Sequence, residues 1–191
     1  MELLFVRHAQ GEHTMNPPRS LQLRDPGLTP LGQRQSKKLQ DKLPLSSDDL
    51  IVISPTRRTI ETAQLWSEGA ACKQIVHQAV GPRMFPLLAA SMSYGCDSPL
   101  SLNVVKEAHR LDVITSRYSA WEEGINAISE SLFEQTASEF LSWCKGLDRP
   151  RIYILTHDGT ITAYRQYLGE RNVTRQDFLG ETGTYLMQIQ S

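Results

Sequence analysis

Leu3-Leu4-Phe5-Val6-Arg7-His8-Ala9-Gln10 is the stretch on which the reading turns. Four consecutive apolar residues make a short buried strand, and an arginine and a histidine follow directly. Two later segments repeat the design. Ile51-Val52-Ile53 runs into Ser54-Pro55-Thr56-Arg57-Arg58, and Arg151–Thr156 runs into His157-Asp158-Gly159. Each is an apolar strand, then a polar turn, then a stretch that reads as helix.

The helices confirm an alternating order. Thr29 caps and Pro30 opens a helix that ends at Pro44, with Leu31, Leu39 and Leu43 on its inner face. Thr56–Glu68 reads as helix with Ile60, Ala63 and Leu65 inward. Ser131–Leu147 carries an apolar stripe of Leu132, Phe133, Ala137, Phe140, Leu141 and Cys144. A last helix covers about 160–168 and ends at Gly169. Gln74–Val80 reads as a third strand and Tyr185–Ile189 as the final one. Residues 81–120, punctuated by Pro82, Pro86, Gly95 and Pro99, read as an inserted cap with one helix near 102–111. The alternation predicts an α/β fold, a three-layer α/β/α sandwich around a mostly parallel sheet, formed as one domain over 1–191.

Composition narrows the partners. With 191 residues, 40% hydrophobic and 21% charged, the chain is an ordinary globular mixture. A formal net charge of −1 supplies no global field for nucleic acid or an anionic membrane. No apolar run is long enough to span a bilayer, and the N-terminus reaches Arg7 without a signal-peptide core. Cys72, Cys96 and Cys144 are scattered, with no CxxC, and read as reduced thiols of a cytoplasmic protein.

In a parallel sheet the three polar turns lie at the carboxyl ends of their strands, where open α/β sheets bind ligands. Two histidines and up to three arginines then converge on one crevice. Arginine's planar fork suits phosphate, and a neutral imidazole is a nucleophile near pH 7. No Cys or carboxylate stands beside these histidines at metal-ligand spacing, and there is neither a P-loop nor a G-x-S-x-G elbow.

These segments resemble the histidine phosphatase (phosphoglycerate mutase-like) superfamily. Arg7-His8-Ala9-Gln10 is similar to its RHG motif, with Ala in place of Gly. Asp25-Pro26-Gly27-Leu28-Thr29-Pro30-Leu31-Gly32 is similar to its GLTxxG segment, and Ser54–Ala63 to its SPLxRxxQTA segment. Thr156-His157-Asp158-Gly159 takes the place of its second histidine motif. The four matches stand in the right order between about residues 2 and 169.

The resemblance implies a phosphatase that hydrolyses phosphomonoesters through a phosphohistidine intermediate. His8 would attack phosphorus, and Arg7, Arg58 and His157 would hold the phosphoryl oxygens. Arg58 aligns with the family arginine better than Arg57. Gln10, Thr14 and Arg83 are further candidates for substrate contact, and His13 for the pocket mouth, while His77 and His109 read as structural. The implied partner is a small phosphorylated substrate or inorganic phosphate, with no metal or organic cofactor, no nucleic acid and no membrane.

Two departures bear on activity. This branch places a Glu after the third strand as proton donor, but Gly81–Ala90 holds no carboxylate. Asp158 directly follows His157, as in the branch that uses a His-Asp pair, and is nominated as general acid with Asp97 as runner-up. Asp158 also suits a helix N-cap. The missing Glu keeps open a non-catalytic phospho-ligand binder or scaffold. A phosphoglycerate mutase stays open as well, as does a phosphatase for phosphohistidine or phosphotyrosine proteins.

Overall fold

The computed structural model describes residues 1–189. Six strands form one sheet: β1 (Glu2–Arg7), β2 (Leu50–Ile53), β3 (Lys73–His77), β4 (Asp112–Ile114), β5 (Arg151–Thr156) and β6 (Thr184–Gln188). Their spatial order is β4-β3-β2-β5-β1-β6. Every neighbouring pair is parallel except β1 with β6, so the sheet is mostly parallel, as the alternation predicts.

Period-two alternation sorts the strand residues between two cores. Leu50, Val52, Ile152 and Ile154 face one side, where they pack with α3 (Glu130–Gly146) and α4 (Asp158–Tyr167). Ile51, Ile53, Tyr153 and Leu155 face the other, against α1 (Pro30–Lys42) and α2 (Arg57–Trp66). Two helical layers on one sheet make the expected three-layer sandwich.

The structure departs from the sequence reading at several points. Leu31 and Leu132 are exposed. The inner face of α1 is Gly32, Ser36 and Leu39, because small residues let the helix approach the loop after β1. A Cβ at Gly32 would lie 2.1 Å from the Gln10 carbonyl oxygen. The third strand ends at His77, and Gln78–Val80 is a short 3-10 turn. Residues 81–120 contribute more than a cap: β4 within them pairs with β3, and the helical piece is a short π-type turn at Val104–Ala108. No helix among the described residues is long and apolar enough to cross a membrane.

Candidate active site

The three motif-bearing strands are neighbours, with β5 between β2 and β1. The ladder continues one residue past the strands: His8 N–H donates to Thr156 O and Ser54 N–H to Leu155 O, both at 3.0 Å. His8, Ser54 and His157 are thereby set side by side at the carboxyl edge of the sheet. Helices α2 and α4 begin immediately beyond, so two positive dipole ends open on the same place.

The segment around Thr29 braces the histidine loop. Thr29 Oγ1 accepts from Gly32 N–H at 3.0 Å, which caps α1, and donates to Gln10 Oε1 at 2.8 Å. Thr29 N–H donates to Gln10 O at 3.0 Å. From α2, Thr62 Oγ1 accepts Ala9 N–H at 3.3 Å. Gln10 is thus a brace of the loop and does not line the cleft. Thr14 does line it, with its hydroxyl donating to Gly11 O at 2.9 Å.

The cleft has a volume of about 250 Å³ and includes Arg7, His8, His13, Arg58, Asp97, His157 and Asp158 in its walls. His8 is buried, and its Nδ1 lies 2.7 Å from Ala9 O. A carbonyl only accepts, so Nδ1 carries the proton and Nε2 keeps its lone pair. Arg58 Nε–H points to that Nε2 at 3.4 Å. Arg58 Nη2 donates to His157 Nδ1 at 3.2 Å. His157 Nε2 therefore carries the proton and donates to Ser54 Oγ at 2.7 Å. The His8 and His157 rings are 5.0 Å apart, and the His8 and His13 rings 5.5 Å.

Burial, the Arg58 charge and neighbouring histidines push His8 and His157 well below the ordinary imidazole value, and both stand neutral. Burial and Arg58 lower His13 to about 3. Its Nδ1 is buried without a hydrogen-bond partner among the described residues. Arg58 is 1% exposed and its Nη1 donates to Cys96 O at 2.6 Å. Arg57 is exposed and pairs with Glu61 at 2.7 Å, so of the two adjacent arginines only Arg58 enters the cleft.

Arg7 Nη2 lies 2.9 Å from Asp158 Oδ2, Arg7 Nη1 donates to Leu179 O, and Arg7 Nε is buried without a partner among the described residues. Asp158 Oδ1 accepts Gly159 N–H at 2.7 Å. The N-cap of α4 is His157, and Asp158 is the first helical residue. Arg83 lines the cleft, and its guanidinium is engaged on the far side: Nη1 donates to Ile125 O and Ile128 O at 3.0 and 3.1 Å, and Nη2 pairs with Glu130 at 3.0 Å. The guanidinium also lies 4.2 Å from the Phe133 ring centroid. That side chain ties the 81–86 segment to the start of α3.

Several residues join the site that the motifs did not assign to it. Ser54 belongs to a motif but has no role readable from sequence, yet its hydroxyl accepts the His157 Nε2–H and orients the ring. Cys96 and Asp97 come from a turn in 81–120, and Arg175 and Phe178 from a loop after α4. Tyr94, Met84 and Phe85 also line the cleft.

Fold and motifs agree on one class: the chain has the histidine phosphatase fold. Residues 3–81 match the family model described as histidine phosphatase superfamily (branch 1), which bears out the resemblance. Among solved structures, the chain is similar to the ecdysone phosphate phosphatase from Bombix mori in complex with tungstate. The TM-score is 0.65 at 15% identity, covering 98% of this chain and 88% of that one. It is also similar to the alpha-ribazole phosphatase from Shigella flexneri, with a TM-score of 0.64, 18% identity and coverage of 100% and 91%. A phosphoserine phosphatase mutant from Entamoeba histolytica in complex with phosphoserine gives 0.62 at 18% identity, covering 97% and 89%. No curated protein matches the sequence.

Proposed function

We propose that the protein hydrolyses small phosphomonoesters in two steps through phosphohistidine at His8. The observation that carries this reading is the His8 tautomer. Its Nδ1 proton is held by Ala9 O, which leaves the Nε2 lone pair in the cleft beside Arg58 and within a ring's distance of His157. A buried neutral imidazole is a competent nucleophile, and a site that only bound phosphate would gain nothing from it.

Arg58 and Arg7 are the cationic groups that would meet the phosphoryl oxygens, and the α2 and α4 N-termini add to their field. Phosphate entry would take over the Arg58 N–H groups now shared with His8 and His157. His157 would then be free to bind an oxygen as a protonated donor, because a bound anion raises the imidazole pKa that Arg58 now lowers. The cleft volume of about 250 Å³ suits a small ester.

The test is phosphate release from a panel of phosphomonoesters between about pH 4.5 and 8, with wild type and His8→Ala together. Alkaline quench, followed by capture of a phosphorylated protein that is stable to base and labile to acid, identifies the intermediate. Turnover and capture by wild type, and neither by His8→Ala, is the expected result. Turnover that survives His8→Ala would remove His8 as nucleophile.

A further inference from the structure

The departing alkoxide of a phosphomonoester needs a proton, and the segment after β3 where this fold's family carries a Glu has no carboxylate between Gly81 and Ala90. Among the described residues, the carboxylates in the cleft wall are Asp97 and Asp158. Asp158 is engaged on both oxygens, by the Arg7 guanidinium at 2.9 Å and by Gly159 N–H at 2.7 Å. Both Asp158 oxygens are thus occupied by protein donors, and the side chain is committed to holding Arg7 and the first turn of α4.

Asp97 has a different environment. Its Oδ1 lies 3.5 Å from Arg58 Nη2, the atom that also reaches His157 Nδ1 at 3.2 Å. The carboxyl, the arginine and the second histidine thus share one wall of the cleft. Its other near partner is the weak donor Cys96 Sγ, at 3.7 Å. The turn that carries it is fixed. Cys96 O accepts from Arg58 Nη1 at 2.6 Å, and a Cβ at Gly95 would lie 2.6 Å from Gln22 O, so the turn sits tightly on the preceding loop. Burial raises the Asp97 carboxyl above its ordinary range, and Arg58 offsets only part of that rise.

We propose that Asp97 is the proton donor to the leaving oxygen, and that Asp158 is a positioning residue that holds Arg7. This rests on the hydrolase reading above. In the first step His8 Nε2 forms a bond to phosphorus, the bond from phosphorus to the ester oxygen breaks, and that oxygen takes the Asp97 proton and leaves as the alcohol. In the second step water attacks phosphorus, the phosphorus–nitrogen pair returns to Nε2, and the Asp97 carboxylate takes the water proton. The acid is regenerated and no co-reactant is needed.

Leaving-group dependence tests the assignment. Asp97→Asn and wild type are compared on an alkyl phosphate and on 2,4-dinitrophenyl phosphate, whose phenolate departs without a proton. The expected loss on the alkyl ester is roughly 100- to 10,000-fold in kcat/KM, the usual contribution of a positioned acid. The loss on the dinitrophenyl ester is far smaller. Orthovanadate binding by Asp97→Asn near the wild-type level shows that the pocket is intact, and Asp97→Glu restores part of the alkyl-ester rate. Asp158→Asn loses equally on both esters. Equal losses for Asp97→Asn on both esters, or turnover of the alkyl ester by Asp97→Asn at the wild-type rate, would overturn the proposal and leave His8 catalysis standing. A wild type inactive on both esters overturns the hydrolase reading, and the Asp97 role with it.

Discussion

Ser54 Oγ lies 2.7 Å from His157 Nε2, and this contact sets which face of the second histidine is available to a ligand. With Nε2–H held by the serine, Nδ1 is the atom turned to Arg58. Ser54 is fully buried, so no water replaces the hydroxyl readily. Ser54→Ala leaves a buried imidazole N–H unsatisfied, at a cost of about 1–3 kcal/mol in unfolding free energy. Activity is expected to fall mainly in kcat, since the ring loses its orientation while the arginines remain. The nitrogen-15 spectrum of His157 reports the change directly: Arg58 only donates to Nδ1, so Nε2 stays protonated in both proteins, while in Ser54→Ala the Nε2–H signal shifts and exchanges faster. An unchanged spectrum would remove the serine from this role.

Arg58 contacts His8, His157, Asp97 and the Cys96 carbonyl from a fully buried position. Arg58→Lys keeps the charge but loses the fork that reaches these partners from separate nitrogens. Arg58→Lys and Arg58→Ala are both expected to lower kcat/KM by roughly 1,000-fold, in the range measured when one preorganised donor is removed. Arg57→Ala is the control. Its exposed pair with Glu61 contributes no more than about 0.5 kcal/mol, and activity stays near wild type. Parallel kinetics on the three variants distinguish the adjacent arginines, and equal losses for Arg57→Ala and Arg58→Ala would contradict the assignment.

Much of this site is legible in the sequence because its carriers obey strong rules. Buried parallel strands read as apolar runs, so β1, β2 and β5 stand out with their polar turns, and motif spacing favours Arg58 over Arg57. β4 escapes sequence reading because Asp112-Val113-Ile114 is a three-residue edge strand with one polar member, too short for any periodicity. The anchoring of Arg83 is hidden because sequence gives a side chain but no direction, and its partners at 125, 128 and 130 are far along the chain. The Arg7–Asp158 pair is hidden for a related reason. It exists only because β1 lies beside β5, a neighbour relation fixed by the whole sheet. Leu31 and Leu132 fit an inward periodicity that their helices satisfy with other residues.

Arg83 separates stability from binding. Its guanidinium bonds two carbonyls, pairs with Glu130 and stacks on Phe133. Arg83→Met keeps much of the apolar contact and abandons both carbonyls, at a cost of about 1–3 kcal/mol for each buried acceptor left bare. Chemical denaturation is expected to show a lower midpoint. Orthovanadate affinity, measured well below that midpoint, is expected to match wild type. A selective loss of affinity with stability unchanged would instead support the substrate-contact role read from the sequence.

His77 gives the cleanest pH signature because it lies outside the cleft. Its ring packs on Phe140 and Trp143, with centroids 4.9 and 5.0 Å away, and Nδ1 accepts from Ala79 N–H at 3.1 Å. Burial lowers its pKa from 6.5 to about 3. Between those values the unfolded chain binds a proton that the folded chain refuses. The stabilisation is therefore complete above 6.5 and is lost as pH falls towards 3, with a limiting slope of about 1.4 kcal/mol per pH unit. His77→Asn keeps an acceptor for Ala79 but does not titrate. Its stability is lower at pH 7.5, yet it is expected to fall less steeply than wild type between pH 6.5 and 5. Urea midpoints across that window give both slopes, and parallel curves would show that His77 is protonated in the folded protein.

Gly32 links the α1 packing to the nucleophile without any charged group. A Cβ there would lie 2.1 Å from Gln10 O, and the atom in the way is backbone, which no rotamer change can move. The Gln10 carbonyl also accepts from Thr29 N–H, so it is fixed from the α1 side as well. Gly32→Ala must displace either the start of α1 or the loop two residues beyond His8. The second course shifts the Ala9 carbonyl that holds the His8 Nδ1 proton at 2.7 Å. A misplacement of the nucleophile by about 1 Å is enough to cost roughly 100-fold in rate. The expected outcome is a folded but less stable protein whose kcat falls by about that factor. The neighbouring exposed substitution Leu31→Ala, on the same turn, is expected to leave kcat unchanged. Comparing kcat for the two variants at matched folded fractions isolates the loop displacement, and equal rates would mean that α1 moves and the histidine loop does not.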